Sequence, residues 1–443
     1  MNSYQDFFKD KKVTILGLGL LGRGVGDAEF IASCGAYVTV TDKKTKEQLS
    51  ESVARLAQYS NITYHLGGHV REDFTSADMV IKAAGVALDS PEIAAAHEAG
   101  VPVYMSTALF EQWAHEAGAT VVGITGTRGK STVTQMIYSS LQLTAPRASS
   151  GQERQVFLGG NVRGVSSLAM IPSIKRGDII VLELDSWQLQ GFGDLKISPT
   201  VAVFTNLMPD HQNYYLDMEM YFADKANIFK HQKEGDTLVC GAGIRKQIDA
   251  ARPKVAPLVP PAIPAGWNLK IIGEHNRENA ALAAGALRAL GLGENQIREG
   301  LESFEAVEGR LQLVRQIRGV QIYNDNNATT PEATMAALHA LPSGKIILIM
   351  GGADKGLDMS DLLYQISHTC KRVILLPGSG TDKIVPFMSD YSVFDSLESA
   401  VHEAITSATV GDVVLFSPAF ASFGMFTNEY DRSDQFMKVV EGL

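Results

Sequence analysis

The stretch Gly123 to Thr132 reads GITGTRGKST. A lysine and a serine behind spaced glycines can hold phosphate. Backbone N–H groups at a helix start attract the anion, Lys130 can reach the β- and γ-phosphates of a nucleotide, and the Ser131 hydroxyl can ligate Mg²⁺. The stretch departs from the common pattern G-x-x-x-x-G-K-[ST], because position 124 is isoleucine and the glycines stand at 123, 126 and 129. Further along, Glu183 closes the apolar run DIIVLE, and Asn206, Asp210 and His211 follow the run TVAVF. Carboxylates and imidazoles at the carboxyl ends of parallel strands point into the ligand crevice, so beside a phosphate loop they imply metal and phosphate chemistry. A second glycine pattern, G-x-G-x-x-G at Gly17, Gly19 and Gly22, follows the strand-like run Val13 to Leu16. A further strand, Tyr37 to Thr41, ends at Asp42. That is a Rossmann-type unit, in which the turn holds phosphates and the acid a ribose. A tight turn with no ligand would carry the same glycines, and a nicotinamide-dependent oxidoreductase would use the same turn. These residues alone leave all three readings open.

The elements that must position these groups fall into three α/β blocks. The 443 residues exceed one ordinary domain at roughly 150 residues each. The first block, 1–107, is the Rossmann-like unit with later strands in ADMVIKAAGV and VPVYMS. The second, 108–306, is strand, phosphate loop and helix in ATVVGITGTRGKSTVTQMIYSSLQ, followed by the runs ending at Glu183 and Asn206. Its proline-rich ARPKVAPLVPPAIPAGW reads as a loop, because the helical NRENAALAAGALRALGL still belongs to the block. The third, 307–443, has strands in GVQIYN, KIILIMGG, RVILLPGSG and DVVLFSPAF with helices between. Hydrophobic residues make up 45% and charged residues 20%, a normal globular balance. A net charge of −10 argues against a general nucleic-acid binder, so an acidic ligand must be held by local basic groups. Cys34, Cys240 and Cys370 are scattered, with no disulfide or zinc spacing, which fits a reducing cytoplasm. The charged MNSYQDFFKDKK is no secretory leader, and no apolar run approaches the about 20 residues that span a bilayer.

The loop resembles the T-G-[ST]-x-G-K-[ST] form of the Mur ligase family, and the resemblance runs along the whole chain. FLGGN, ELDSWQL, TNLMPDH, YFADKANIF, GEHNRENAALAA, EGRLQLV, YNDNNATTPEA and SPAFASF are similar, in order, to family motifs. The opening GLGLLG in a full Rossmann-like domain matches the MurD type. The resemblance implies an ATP-dependent ligase that adds D-glutamate to UDP-N-acetylmuramoyl-L-alanine through an acyl phosphate, in cytoplasmic peptidoglycan precursor synthesis. A ligase adding another amino acid and a non-catalytic nucleotide sensor are the alternatives. It implies a central P-loop ATPase-like parallel sheet between two Rossmann-like domains, and a monomer. ATP would be held by Gly126, Thr127, Arg128, Gly129, Lys130, Ser131, Thr132, Asn276, Asn279, Arg310 and Asp325. The UDP-substrate would be held by Leu20, Leu21, Asp42, Lys43, Gly85, Asn161, Gln188 and His211, and glutamate by Thr329, Lys355 and Ser422. Lys130, Glu183, His211 and Lys225 would be catalytic. Two Mg²⁺ ions would lie at Ser131, Glu183, His211 and Lys225, the last carbamylated so that a cation becomes a carboxylate-like ligand.

Several positions depart from the family pattern. Asp185 and Trp187 stand for Ser and Phe, Gln212 and Asn213 follow the Asp-His pair, and Asn327 takes the place of a usual lysine. Glu429, Tyr430 and Ser433 deviate near the C-terminus. Asn327 removes a positive charge from the amino-acid end. Glu429 would repel a dianionic substrate if it faced the pocket, so it is expected to point outward while Tyr430 takes over the packing.

Overall fold

The computed structural model describes residues 4–19, 22–144, 154–210 and 214–443. Leu20, Leu21 and His211, all expected at the site, lie outside the described residues, as do Gln212 and Asn213. Two compact units divide the chain: Met1–Pro261 with Ala281–Gly300, and Ala262–Ala280 with Leu301–Leu443.

The first unit holds two sheets. One runs in the order Ile62–Leu66, Tyr37–Asp42, Lys12–Leu16, Met79–Lys82, Val103–Tyr104, with every pairing parallel. Its chain order reverses between Lys12–Leu16 and Met79–Lys82, which opens a crevice at their carboxyl ends. The other runs Pro257–Leu258, Thr237–Cys240, Val201–Phe204, Thr120–Thr125, Ile179–Glu183, Val156–Gly160, again all parallel. Strands buried on both faces read as continuous apolar runs, and Ile179 to Leu182 and Val201 to Phe204 are each at most 3% exposed. One apolar core joins the two sheets: Phe8, Phe30, Phe110 and Trp113 pack with Leu182, Phe192 and Phe204 in the same cluster. Phe7 and Phe8 meet Trp113 edge-on at 5.4 and 5.6 Å.

The second unit carries a sheet in the order Gln312–Ile317, Val320–Asn324, Val413–Phe416, Ile346–Gly351, Cys370–Leu376, Ser392–Val393. Gln312–Ile317 pairs antiparallel to its neighbour and the rest are parallel, so the sheet is mixed. Its two faces are covered separately, one by Leu338, Leu362 and Ile366 and the other by Val401, Phe436 and Val440. Helix Glu274–Ala289 has residues in both units. Among the described residues no helix is long and apolar enough to cross a membrane.

Candidate active site

The phosphate loop sits where the middle sheet reverses its order. Thr120–Thr125 is the strand between Ile179–Glu183 and Val201–Phe204, and Glu183 pairs beside Ile124. Two glycines make the loop possible. Gly126 has φ +141°, and a Cβ there would lie 1.9 Å from Thr205 Oγ1 and 3.0 Å from the Asn206 nitrogen. Gly129, at φ +80°, turns the chain into helix Lys130–Thr144. The segment after Phe204 then locks the loop. Thr127 N–H donates to Asn206 O (2.9 Å), Arg128 N–H to Asn206 Oδ1 (2.9 Å), and Thr205 Oγ1 to Arg128 O (2.5 Å). Met208 N–H donates to Thr127 Oγ1 at 2.9 Å. Arg128, Gly129, Lys130 and Ser131 are half-buried, while Thr127 and Thr132 are buried. Lys130 Nζ donates to Gly126 O and Thr127 O, both at 3.1 Å, so it folds back over its own loop. That is the position from which it can swing to a phosphate.

Lys225, on helix Met218–Lys230, is brought to the same loop. It is 1% exposed; its Nζ donates to Gly126 O at 2.9 Å and to Thr125 Oγ1 at 3.4 Å, and lies 4.7 Å from the Tyr221 ring centroid. Burial, and next the charge of Lys130, push its ammonium well below the usual lysine range. Glu183 is 6% exposed at its strand end. Among the described residues no cluster of three His, Cys, Asp or Glu side chains forms a metal cage. Mg²⁺ keeps several waters and binds through one or two protein oxygens together with phosphates, so Ser131 and Glu183 beside the loop fit it.

A cavity of about 220 Å³ opens at the switch point of the N-terminal sheet. Its wall includes Gly17, Gly19, Arg23, Asp27, Lys82 and Gly85, and Gln188 reaches it from helix Ser186–Leu195. Asn161 follows strand Val156–Gly160 and accepts a hydrogen bond from Arg23 Nη1 at 3.0 Å. Asp42 is taken up locally: Oδ2 accepts from Leu18 N–H (2.9 Å) and Gly19 N–H (3.2 Å), and Oδ1 from Lys44 N–H (2.9 Å). It therefore holds the glycine turn in shape, and Lys43 beside it is exposed. Asp185, one of the departures, has a structural role that serine could also fill. It caps helix Ser186–Leu195 by accepting from Gln188 N–H at 2.7 Å, while Gln188 Oε1 accepts from Asp185 N–H at 3.2 Å. The box fixes Gln188, whose Nε2 donates to Thr107 Oγ1 at 3.1 Å.

In the second unit, three segments meet through backbone bonds: Ala419 N–H donates to Ala328 O (2.8 Å), and Ala353 and Ala421 exchange bonds of 2.9 and 3.1 Å. This gathers the loops of Thr329, Lys355 and Ser422. Lys355 Nζ donates to Thr329 Oγ1 at 3.0 Å, and Ser422 is buried. Asp325 accepts from Leu311 N–H (2.9 Å) and Ser417 Oγ (2.8 Å), and burial raises its pKa to about 7. It thus anchors the segment that carries Arg310. Asn279 Nδ2 donates to Asn276 Oδ1 at 3.1 Å, and Asn276 Nδ2 to Ile272 O at 2.8 Å. Asn276, Asn279, Arg310 and Asp325 belong to the second unit and the phosphate loop to the first. Glu429 is exposed in the first turn of helix Glu429–Glu441, where the helix dipole favours a carboxylate, and Tyr430 is half-buried. Asn327 donates through Nδ2 to Glu308 O at 3.3 Å, and Ser433 through Oγ to Glu308 Oε1 at 3.0 Å.

Among the buried ionisable groups that the sequence did not single out are Asp27, Lys82 and Arg432. The available signal was position. Lys82 ends the otherwise apolar MVIK, and Asp27 stands in a helix stretch of small and apolar residues. Arg432 is wholly buried and donates only to neutral oxygens, Asn326 Oδ1 (2.7 Å), Asn326 O (2.9 Å) and Phe420 O (3.2 Å).

A phosphate loop at the middle sheet's switch point, with a second ligand crevice in the N-terminal sheet, defines an α/β nucleotide-binding enzyme of several domains. Family models described as Mur ligase MurD-like, N-terminal domain, Mur ligase middle domain, and Mur ligase, glutamate ligase domain match residues 11–105, 124–256 and 309–420. The UDP-N-acetylmuramoylalanine–D-glutamate ligase of Roseiflexus sp. (strain RS-1) is 34% identical over 97% of this chain and 98% of its own. The protein of the same name from Borreliella burgdorferi (strain ZS7) is 32% identical over 99% of both. The UDP-N-acetylmuramate-alanine ligase MurC of Thermotoga maritima shares the fold, with a TM-score of 0.60 at 18% identity over 98% of this chain and 99% of that one. The chain belongs to the Mur ligase family.

Proposed function

We propose that this enzyme joins D-glutamate to UDP-N-acetylmuramoyl-L-alanine at the expense of ATP, in peptidoglycan precursor synthesis. The observation that carries the reading is full-length identity of about a third to relatives bearing that name, on a chain that keeps the phosphate loop and the lysine behind it. A carboxylate is a poor acyl donor because oxide would have to leave. Transfer of the γ-phosphoryl group to it creates an acyl phosphate; the amine of glutamate then attacks, phosphate departs, and the nitrogen loses a proton. Phosphoryl transfer needs positioning and charge neutralisation more than covalent help. Lys130 and the loop N–H groups supply these to ATP, with Asn276, Asn279, Arg310 and Asp325 as further contacts. Mg²⁺, held by Ser131, Glu183, His211 and a modified Lys225, would neutralise the phosphates. The Lys225 modification is a carbamate: a neutral amine adds carbon dioxide and releases a proton, giving an anion. Burial beside Lys130 favours the neutral amine that this needs. The N-terminal cavity with Gly85, Asn161 and Gln188 takes the UDP-sugar, as part of a site that includes Leu20, Leu21, Asp42 and Lys43. Thr329, Lys355 and Ser422 take glutamate, Lys355 pairing with a carboxylate. The domains 1–107, 108–306 and 307–443 divide these tasks, and the enzyme works as a cytoplasmic monomer. The test is ADP release with substrates omitted in turn. Release that needs both the UDP-muramoyl-alanine and the amino acid supports the reading. ATP turnover indifferent to the UDP-substrate refutes it.

A further inference from the structure

We propose that Lys82 and Arg23 are a cation pair that holds the diphosphate of the nucleotide-sugar in the N-terminal cavity. This rests on the UDP-substrate reading of that cavity. Lys82 ends strand Met79–Lys82 and pairs in register with Leu16, the residue before Gly17, so it stands at the switch point itself. All four residues of that strand are buried, and Lys82 is 3% exposed yet lines the cavity with Gly17, Gly19 and Gly85. Its Nζ donates to backbone carbonyls alone: Val86 O at 2.9 Å, Ala83 O at 3.4 Å and Ala84 O at 3.5 Å. A buried ammonium with only neutral partners is costly, and an anion brought into the cavity would relieve that cost. The acids Asp185, Asp194 and Asp224 act on it from a distance. Asp27 is the acid in the cavity wall; it accepts from Ser166 Oγ at 2.6 Å, and burial pushes its pKa up, which favours the neutral form. It therefore competes poorly for Lys82. Arg23 lines the same cavity and reaches Asn161. Two cations and a glycine turn in one small cavity suit two linked phosphates, whereas a sugar hydroxyl needs neither charge.

Isothermal titration of the full chain with UDP and with uridine separates the phosphate contribution from that of the base. Lys82→Gln keeps a donor for the Val86 carbonyl and drops the charge; Lys82→Arg keeps the charge. UDP should bind Lys82→Gln roughly tenfold more weakly, as expected for a lost charge-assisted hydrogen bond. Uridine affinity should not change, and Lys82→Arg should retain most of the UDP affinity. The KM for the UDP-substrate should rise in step while the KM for ATP stays. Wild-type UDP affinity in Lys82→Gln, or equal loss of UDP and uridine, overturns the proposal, the latter because the lysine then merely shapes loop 83–86. If Lys82→Gln fails to fold by thermal melting, Arg23→Gln is put to the same UDP-against-uridine comparison, and unchanged UDP affinity refutes the pair. A wild-type chain that binds no UDP refutes instead the substrate reading beneath it.

Discussion

Replacing Arg432 by methionine tests how the amino-acid end is held together. The guanidinium is wholly buried, and its three hydrogen bonds tie Asn326 and Phe420, in the segments that lead to Thr329 and Ser422, to helix Glu429–Glu441. Three bonds from a charged donor at about 2 kcal/mol each come to about 6 kcal/mol. Against this, burial lowers the arginine pKa to about 10 from 12.5, a cost to the charged form of about 3 kcal/mol that methionine would not bear. The net loss is about 3 kcal/mol. In a unit of this size each kcal/mol moves the melting temperature by roughly 2–4 °C, so the drop should be about 6–12 °C. Calorimetry reads the shift, and initial rates should show the KM for D-glutamate rising while that for the UDP-substrate stays. Arg432→Lys can reach one acceptor and should fall between. A melting temperature within about 2 °C of wild type, with an unchanged KM for glutamate, would refute this reasoning.

Gly126→Ala should abolish ATP binding, because its Cβ would overlap Thr205 Oγ1 at 1.9 Å on a backbone with φ +141°; equilibrium binding of ATP measures this, and near-normal affinity would contradict the loop geometry. Lys225→Ala should cripple turnover, and short carboxylic acids added to the assay should restore part of it; full activity of the plain variant would exclude the carbamate. The carboxyl of Asp325 has a folded pKa of about 7, above its unfolded value. Its contribution is therefore fully present below about pH 4 and is lost as pH rises to about 7. Asp325→Asn should accordingly gain melting temperature relative to wild type between pH 5 and pH 8, and a constant difference across that range would count against the buried acid.

The parallel strands were legible because burial on both faces forces apolar runs: Lys12–Leu16, Ile179–Glu183 and Val201–Phe204 lie where VTIL, IIVLE and VAVF stand. The phosphate loop was legible because its glycines answer backbone positions that no side chain could occupy. Edge strands were harder. Ile62–Leu66 and Gln312–Ile317 have polar residues facing solvent, so neither gives an apolar run, and the antiparallel pairing that makes the third sheet mixed left no mark in composition. The positions of Lys130 behind its loop and of Glu183 at a strand end were readable, and the work of their neighbours was not. Asp42 was read from sequence as a ribose ligand; one of its oxygens also accepts from the glycine turn and the other from Lys44 N–H, contacts that no pattern announced. Asp185 stood out only as a departure from the family pattern and is half of a capping box. Lys82 and Arg432 escaped notice because lysine and arginine are ordinarily solvated, and only the surrounding packing shows that these two are not.

The decisive experiment is product analysis by mass spectrometry after incubation of the full chain with UDP-N-acetylmuramoyl-L-alanine, ATP, Mg²⁺ and single amino acids. With D-glutamate, the uridine-containing product should be heavier by one glutamate residue, with one ADP and one phosphate formed per product. L-Glutamate, D-aspartate and basic amino acids should give little or none. A product formed preferentially with one of those, or ATP consumed with no new amide, would contradict the assignment.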